Sequence, residues 1–221
     1  MNNQEYVTQV HGLPSLMTMH EVTVKIIYLV GIKHSGKTKL GQFASVALAT
    51  SYDTVYADSD ELVLKTLRGT GQTVREFYRD AGQEAFAERE FSSIRKFVLD
   101  LHSHPVELAI IATGGGACDN DPLVSFMQET GTLLYLSVSE EILFERILAG
   151  GLPPFVSASH PKPSFHELYS RRNERYRQIS EYMVRLFDYQ SVAENGQILT
   201  QAILNLMGRG TACQEIVLER L

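Results

Sequence analysis

The feature that most constrains the fold is a glycine-rich stretch from Gly31 to Thr38. It reads Gly-Ile-Lys-His-Ser-Gly-Lys-Thr and fits the pattern G-x-x-x-x-G-K-[ST]. An apolar, β-branched run over 24–30 precedes it and a helical pattern over 37–50 follows. Such a loop lets backbone N–H groups curl around phosphate oxygens at the positive end of a helix. A tight glycine turn without a ligand is the alternative, but the strand–loop–helix context favours nucleotide binding.

Two side chains of this loop carry its expected chemistry. Lys37 can reach the β- and γ-phosphates of a nucleotide, and the Thr38 hydroxyl can ligate Mg²⁺. The sequence therefore predicts ATP and Mg²⁺ as ligands. The residues expected to contact ATP are Gly31, Ile32, Lys33, His34, Ser35, Gly36, Lys37, Thr38 and Lys39.

Strand-like and helix-like segments alternate along the chain, which predicts a doubly wound α/β sheet. The predicted strands are Val24–Val30, Thr54–Ala57, Val106–Ala112, Thr132–Val138 and Met183–Phe187. The predicted helices are Lys37–Thr50, Asp60–Arg68, Thr73–Tyr78, Gln83–Leu101, Ser139–Leu148, Ser164–Gln178 and Ile198–Met207.

We expect one domain over residues 22–207, between a flexible extension (1–21) and a tail (208–221). Residues 150–163 hold four of the seven prolines and predict a mobile lid loop. The net charge of −6 argues against nucleic-acid binding. The sequence contains no run of about 18 apolar residues, so it predicts no membrane span. Two cysteines without a disulfide framework suit a reduced cytoplasmic compartment, and we expect a monomer.

Two carboxylates, Asp58 and Asp60, follow the second strand directly. Ligands of open α/β sheets lie beyond the carboxyl ends of the strands, where a carboxylate can position Mg²⁺ or accept a hydroxyl proton. Capping of the next helix explains the same two residues equally well.

Three glycines, Gly114 to Gly116, end the third strand after Thr113. Their lack of Cβ atoms allows close approach of a substrate to the backbone. An ordinary turn is the alternative. His102 and His104 suggest a metal pair, but a solvated loop is favoured because no third ligand is near.

These pieces, in this order, resemble the shikimate kinase family, and the resemblance spans roughly residues 22–207. The stretches that carry it are Gly31–Thr38, Val55–Asp60 with its Asp-Ser-Asp, Gly82–Phe86 with Glu90, Ala112–Gly116, and Arg172-Asn173 before Tyr176.

The resemblance implies a P-loop fold with a five-stranded parallel sheet, helices on both faces, and transfer of the γ-phosphoryl of ATP to the 3-hydroxyl of shikimate. By position, it implies that Lys37 and Thr38 hold the phosphates and Mg²⁺, and that Asp58 lies near the metal. Asp60 would bind the acceptor hydroxyls and help to deprotonate one. The expected acceptor pocket consists of Asp60, Tyr78, Phe86, Gly114, Gly115, Gly116 and Arg172, with Arg172 pairing with the carboxylate.

Two positions depart from the family pattern. Ala87 stands where the family has an arginine that grips the acceptor carboxylate, and Pro153 stands where the lid has an arginine over the phosphates. Lost cationic contacts to a transferring phosphoryl group cost orders of magnitude in rate. Lys33 and His34 lie where they could partly substitute. Three functions therefore stay open: a shikimate kinase, a kinase of another polyol, and a nucleotide-binding module without transfer activity.

Overall fold

Apolar strands form a central sheet that carries helices on both faces. The structure is a computed structural model and describes residues 24–103, 106–152, 156–187, 190–208 and 218–221. The strands are β1 (Lys25–Val30), β2 (Thr54–Asp58), β3 (Leu108–Ala112), β4 (Thr132–Ser137), β5 (Tyr182–Arg185) and β6 (Leu218–Arg220). The helices are α1 (Lys37–Leu48), α2 (Ser59–Thr66), α3 (Val74–Ser103), α4 (Asp121–Thr130), α5 (Glu140–Gly150), α6 (Pro161–Ile179) and α7 (Val192–Leu206).

The strand order in the sheet is β2-β3-β1-β4-β5-β6. The first five strands are parallel to their neighbours, so their carboxyl ends all meet at one edge. The chain crosses from one side of the sheet to the other at β1, which lies between β3 and β4. In open parallel sheets this switch point is where ligands bind, and here it is followed by the glycine-rich loop.

The sequence predicts the central strands well because helices cover both of their faces. Ile27 to Val30 and Leu108 to Ala112 are buried at every position, so each strand is a continuous apolar run. Ile27 of β1 is level with Ile110 of β3. The parallel α/β sheet that the sequence predicts is confirmed.

The sheet has a sixth strand that the predicted five-stranded sheet lacks. Residues 218–220, within the predicted tail, pair antiparallel with β5, with Glu219 opposite Met183. The sequence could not indicate this strand because three residues are too short for a periodic pattern. Its partner also lies more than thirty positions away along the chain.

Helix boundaries differ from the prediction where local capping decides them. Helix α7 begins at Val192 rather than Ile198, because Ser191 and Glu194 form a reciprocal capping box. Helix α4 was not predicted, although Asn120 caps it and a proline follows in the first turn. Helix α3, by contrast, consists of two helices that meet at Gly82, whose φ of 85° and ψ of 176° are non-helical, so the two helices predicted over Thr73–Tyr78 and Gln83–Leu101 are confirmed. Strand β3 begins at Leu108, two residues later than predicted, and β5 ends at Arg185.

Several predicted regions lie partly outside the described residues: the extension at 1–21, His104, Pro153 in the lid and residues 209–217 of the tail. Helix α6 begins at Pro161, inside the predicted lid loop. The domain boundaries stay predictions. None of the helices within the described ranges is both long enough and apolar enough to cross a membrane.

Candidate active site

The loop between β1 and α1 is held tightly against the sheet. Gly31 has a φ of +147°, and a Cβ atom there would lie 2.8 Å from the Leu136 carbonyl oxygen. Gly36, directly before α1, has a φ of +95°. Only glycine takes up both the close approach and these angles without strain. His34 also has a positive φ, of 67°, and its carbonyl accepts a hydrogen bond from the Arg146 guanidinium at 3.0 Å.

Lys37, the first residue of α1, is folded into this loop. Its Nζ donates to the Gly31 carbonyl at 2.6 Å and to the Ile32 carbonyl at 3.1 Å. Burial lowers the pKa of Lys37 to about 8, although Asp60 and Asp58 oppose the shift. A buried ammonium held by neutral carbonyls lacks a full counter-charge, which a nucleotide phosphate would supply.

Thr38 and Asp58 form the part of the site that suits Mg²⁺. The Thr38 hydroxyl donates to Asp58 Oδ2 at 2.7 Å, so a hydroxyl and a carboxylate oxygen converge beside the phosphate loop. Mg²⁺ prefers hard oxygen ligands and is usually bound by one or two carboxylates together with substrate phosphates. The two side chains therefore fit the predicted metal. The Tyr56 hydroxyl lies against the same carboxylate and donates to Asp58 Oδ2 at 3.5 Å.

Asp58 caps the next helix, as one of the two interpretations of the sequence predicted, and Asp58 and Asp60 both lie in the cleft. Asp58 Oδ1 accepts from the Asp60 backbone N–H at 2.9 Å and caps α2. Both carboxylates also line the cleft beyond the strand ends. Partial burial in the cleft and the Asp58 charge raise the pKa of Asp60, whereas Lys33 and Lys37 oppose the rise.

Two adjoining cavities open at the carboxyl edge of the sheet, and we call them the nucleotide cavity and the acceptor cavity after the ligands that the sequence analysis expects there. The nucleotide cavity has a volume of about 520 Å³ and is lined by residues 33–40 together with Asp58, Asp60 and Thr113. Its other lining residues are Arg146, Leu186, Gln190, Val192 and Asn195. Gly31 and Ile32 are not among the lining residues, and their carbonyls hold Lys37 instead.

The acceptor cavity has a volume of about 310 Å³ and brings together every residue predicted for the acceptor pocket. Tyr78 and Phe86 pack edge to face with ring centroids 5.4 Å apart and form an aromatic wall. Gly114, Gly115 and Gly116 form another wall, while Arg172 and Asp60 supply opposite charges. The cavity thus offers apolar, hydrogen-bonding and cationic surfaces together.

Arg172 projects inward from α6. It is 8% exposed, and its guanidinium donates to Asp119 Oδ2 and, at 3.1 Å, to the Gly115 carbonyl. Burial alone would raise the pKa of Asp119, but Arg171 and Arg172 hold it below its ordinary value. The side chain of Arg171 is 58% exposed. The ion pair fixes the guanidinium at the cavity wall.

Glu90 joins the acceptor cavity to α2. Its Oε1 accepts from the Ser59 hydroxyl at 2.9 Å and from the Gly114 backbone N–H at 3.1 Å. Burial raises the pKa of Glu90 to about 7, although both hydrogen bonds oppose the shift. The carboxyl group thus positions the glycine wall from beneath.

Comparison with known protein families matches one family, shikimate kinase, over residues 33–203. The match covers well over half of the chain. This chain belongs to the shikimate kinase family.

Membership in the shikimate kinase family places the chain among phosphotransferases with an alcohol acceptor and a P-loop. The chain is 27% identical over 158 residues to a shikimate kinase of Neisseria meningitidis, a match that covers 72% of this chain and 85% of the relative. It is 27% identical over 186 residues to a shikimate kinase of Caldanaerobacter subterraneus, which covers 84% of this chain and all of the relative.

Solved structures of shikimate kinases have the same architecture. The structure of shikimate kinase from Acinetobacter baumannii in complex with shikimate matches with a TM-score of 0.66 and 26% identity, over 87% of this chain and 97% of that one. Shikimate kinase from Aquifex aeolicus has the same fold, with a TM-score of 0.58 and 21% identity.

Some residues of this shikimate kinase-like cleft were not predicted from the sequence. Arg75 lines the acceptor cavity, as do Asp119 and Asn120. Asn120 also donates to the Ala87 carbonyl at 2.9 Å, so it ties α3 to the start of α4. Asn120 could have been found as a helix cap before a proline, but the cleft positions of Arg75 and Arg146 depend on tertiary packing that no local pattern encodes.

Proposed function

We propose that the chain is an ATP- and Mg²⁺-dependent kinase that transfers the γ-phosphoryl group of ATP to the 3-hydroxyl of shikimate. The observation that carries the proposal is the meeting of the two cavities at Asp60, which lines both. A nucleotide on one side and a polyhydroxylated acid on the other would thus face each other across one carboxylate. The named activity of the relatives supports the choice of acceptor.

The residues divide the work as follows. Lys37 and the loop backbone bind the phosphates, and Thr38 with Asp58 would hold Mg²⁺, which neutralises charge on the phosphates. The acceptor hydroxyl oxygen forms a bond to the γ-phosphorus while the bond from that phosphorus to the β–γ bridging oxygen breaks, and its electron pair leaves with ADP. The hydroxyl proton goes to Asp60, whose raised pKa suits a proton acceptor.

Arg172 would bind the carboxylate of the acceptor. Its guanidinium is buried at the wall and is held by Asp119 and the Gly115 carbonyl, so little orientational freedom remains to be lost on binding. The wall formed by Tyr78 and Phe86 suits one face of a six-membered carbon ring.

The test is ADP release by the purified protein with ATP, Mg²⁺ and shikimate, detected by a coupled assay. Shikimate-dependent release that disappears in Lys37→Ala supports the proposal. Lys96→Ala, an exposed lysine on α3 outside both cavities, is the matched control and should behave as the wild type. ATP binding by calorimetry without any shikimate-dependent release contradicts it and favours a nucleotide-binding module without transfer activity.

One observation favours a second acceptor class. Ala87 lines the acceptor cavity with a small neutral side chain. A neutral or bulkier polyol would fit this wall, so a panel of cyclic and linear polyols belongs in the same assay. A polyol that gives a higher kcat/KM than shikimate would establish this alternative. A cytoplasmic location and a monomeric state stay predictions.

A further inference from the structure

We propose that Lys33 is a catalytic residue whose ammonium stabilises the phosphoryl group while it passes between the two cavities. The inference rests on the proposed kinase function. Among the described residues, two line both the nucleotide cavity and the acceptor cavity, and they are Lys33 and Asp60. They carry opposite charges, so the junction between the cavities holds a cation beside the carboxylate that receives the proton.

The backbone of Lys33 is fixed at this junction. A Cβ atom on Gly115 would lie 2.6 Å from the Lys33 backbone nitrogen and 2.9 Å from its Cα, so the phosphate loop touches the glycine wall of the acceptor cavity there. The side chain of Lys33 therefore begins where the two cavities meet. Asp60 lines both cavities as well, so the ammonium and the carboxylate border the same part of the cleft.

Among the described residues, the Lys33 ammonium is also an unpaired cation. Within the described residues, its ammonium makes no hydrogen bond and no ion pair. By contrast, Lys37 donates to the Gly31 and Ile32 carbonyls. Arg172 is paired with Asp119. An unpaired cation can follow charge as it moves from one cavity to the other.

The reaction needs a cation at this place. Charge spreads over the equatorial oxygens of the transferring phosphoryl group while the acceptor oxygen bonds to phosphorus and the bond to ADP breaks. The Lys33 ammonium donates hydrogen bonds to those oxygens. An interaction made mainly in the transition state raises kcat more than it changes substrate affinity.

The experiment compares the wild type with Lys33→Met and Lys33→Arg in the ADP-release assay. We expect Lys33→Met to lower kcat by about 100-fold, with the Kd of ATP and the KM of shikimate changed less than about threefold. Lys33→Arg should recover most of the rate because it keeps the positive charge. Lys96→Met is the matched control, since that lysine is exposed and lies outside both cavities.

A second measurement does not depend on turnover. ADP with aluminium fluoride and shikimate imitates the transferring phosphoryl group, so its affinity should fall in Lys33→Met by about the factor lost from kcat. The affinity of ADP alone should be unchanged. An unchanged melting temperature shows that the variant is folded.

The outcomes distinguish a failure of the proposed role of Lys33 from a failure of the proposed function. If the wild type turns over shikimate and Lys33→Met raises only the KM of shikimate, Lys33 binds the acceptor and the proposal is overturned. If the wild type does not turn over shikimate, the proposed function fails, and the slow transfer of phosphoryl to water decides the role of Lys33. A Lys33→Met rate of ATP hydrolysis equal to the wild type then overturns it, while a matching loss of that rate supports it.

Discussion

The Thr38 hydroxyl donates to Asp58 Oδ2 over 2.7 Å and joins the first turn of α1 to the end of β2. Asp58→Asn removes the charge of this pair but keeps a side chain that can cap α2. We expect the Mg²⁺ concentration for half-maximal activity to rise about tenfold, because the site loses its carboxylate ligand. A Mg²⁺ titration of ADP release measures it.

Asp53→Asn is the matched control for this substitution, because Asp53 is exposed and lies at the other end of β2. Its Mg²⁺ curve should coincide with that of the wild type. Asp58→Asn curves that also coincide would show that Asp58 does not bind the metal.

Glu90 makes stability depend on pH. Its folded-state pKa of about 7 lies above the ordinary 4.5, so the folded protein holds a proton that the unfolded chain releases. The contribution to stability is therefore fully present below about pH 4.5 and is lost as the pH rises through 7. Glu90→Gln removes this dependence. As the pH rises from 4 to 8, the free energy of unfolding of the variant should increase relative to that of the wild type by on the order of 3 kcal/mol.

Urea unfolding at several pH values measures the effect. Glu88→Gln is the matched control, since Glu88 is exposed on the same helix. Parallel stability curves for Glu90→Gln and the wild type would show that Glu90 does not titrate in this range.

Gly115 sets the distance between the phosphate loop and the acceptor cavity. In Gly115→Ala the new Cβ would lie 2.6 Å from the Lys33 backbone nitrogen, which cannot turn aside as a side chain can. We expect a loss of about 2 kcal/mol in stability and weaker binding of both ATP and shikimate. Thermal unfolding and calorimetry measure the two effects.

Gly71→Ala is the control that separates the effect of a steric clash from the effect of backbone strain. Gly71 has a φ of +73° but nothing within 4 Å of an added Cβ. It should cost about 1–2 kcal/mol and leave both ligand affinities unchanged. If Gly115→Ala, like Gly71→Ala, lowers stability but leaves the affinities for ATP and shikimate unchanged, the contact with Lys33 does not govern binding.

Arg172→Met removes the buried guanidinium at the acceptor cavity and leaves Asp119 with Arg171 as a partner. We expect the KM of shikimate to rise at least about 30-fold, while the KM of ATP changes less than about twofold. Arg175→Met on the same helix is the control, because Arg175 pairs with the exposed Asp121. A rise of similar size in the KM of ATP would indicate a general distortion of the cleft.

The sequence predicted those parts of the fold and site whose cause is local. The apolar runs of β1 and β3 indicate buried parallel strands, and the spacing of Gly31, Gly36 and Lys37 indicates the phosphate loop. The place of Arg172 at the acceptor pocket was expected from the resemblance alone, and its side chain lies at the wall of that cavity with 8% exposure.

The remaining features arise from tertiary contacts. Asp119 becomes the partner of Arg172 only when the turn after β3 packs against α6, across 53 residues of chain. Arg146 reaches the phosphate loop across 112 residues. No periodicity or short motif records such distances. The same holds for the junction at Lys33, which exists because the loops after β1 and β3 touch.

Strand β6 gives the sheet a different border from the one that β5 alone would provide. Met183 and Val184 of β5 are fully buried, whereas Glu219 and Arg220 of β6 are exposed. An apolar border strand with unpaired backbone groups is a template for edge-to-edge aggregation, and a short charged strand is a poor one. We therefore expect a chain that ends at Met207 to aggregate more readily than the chain with β6, because its sheet would end on the apolar strand β5.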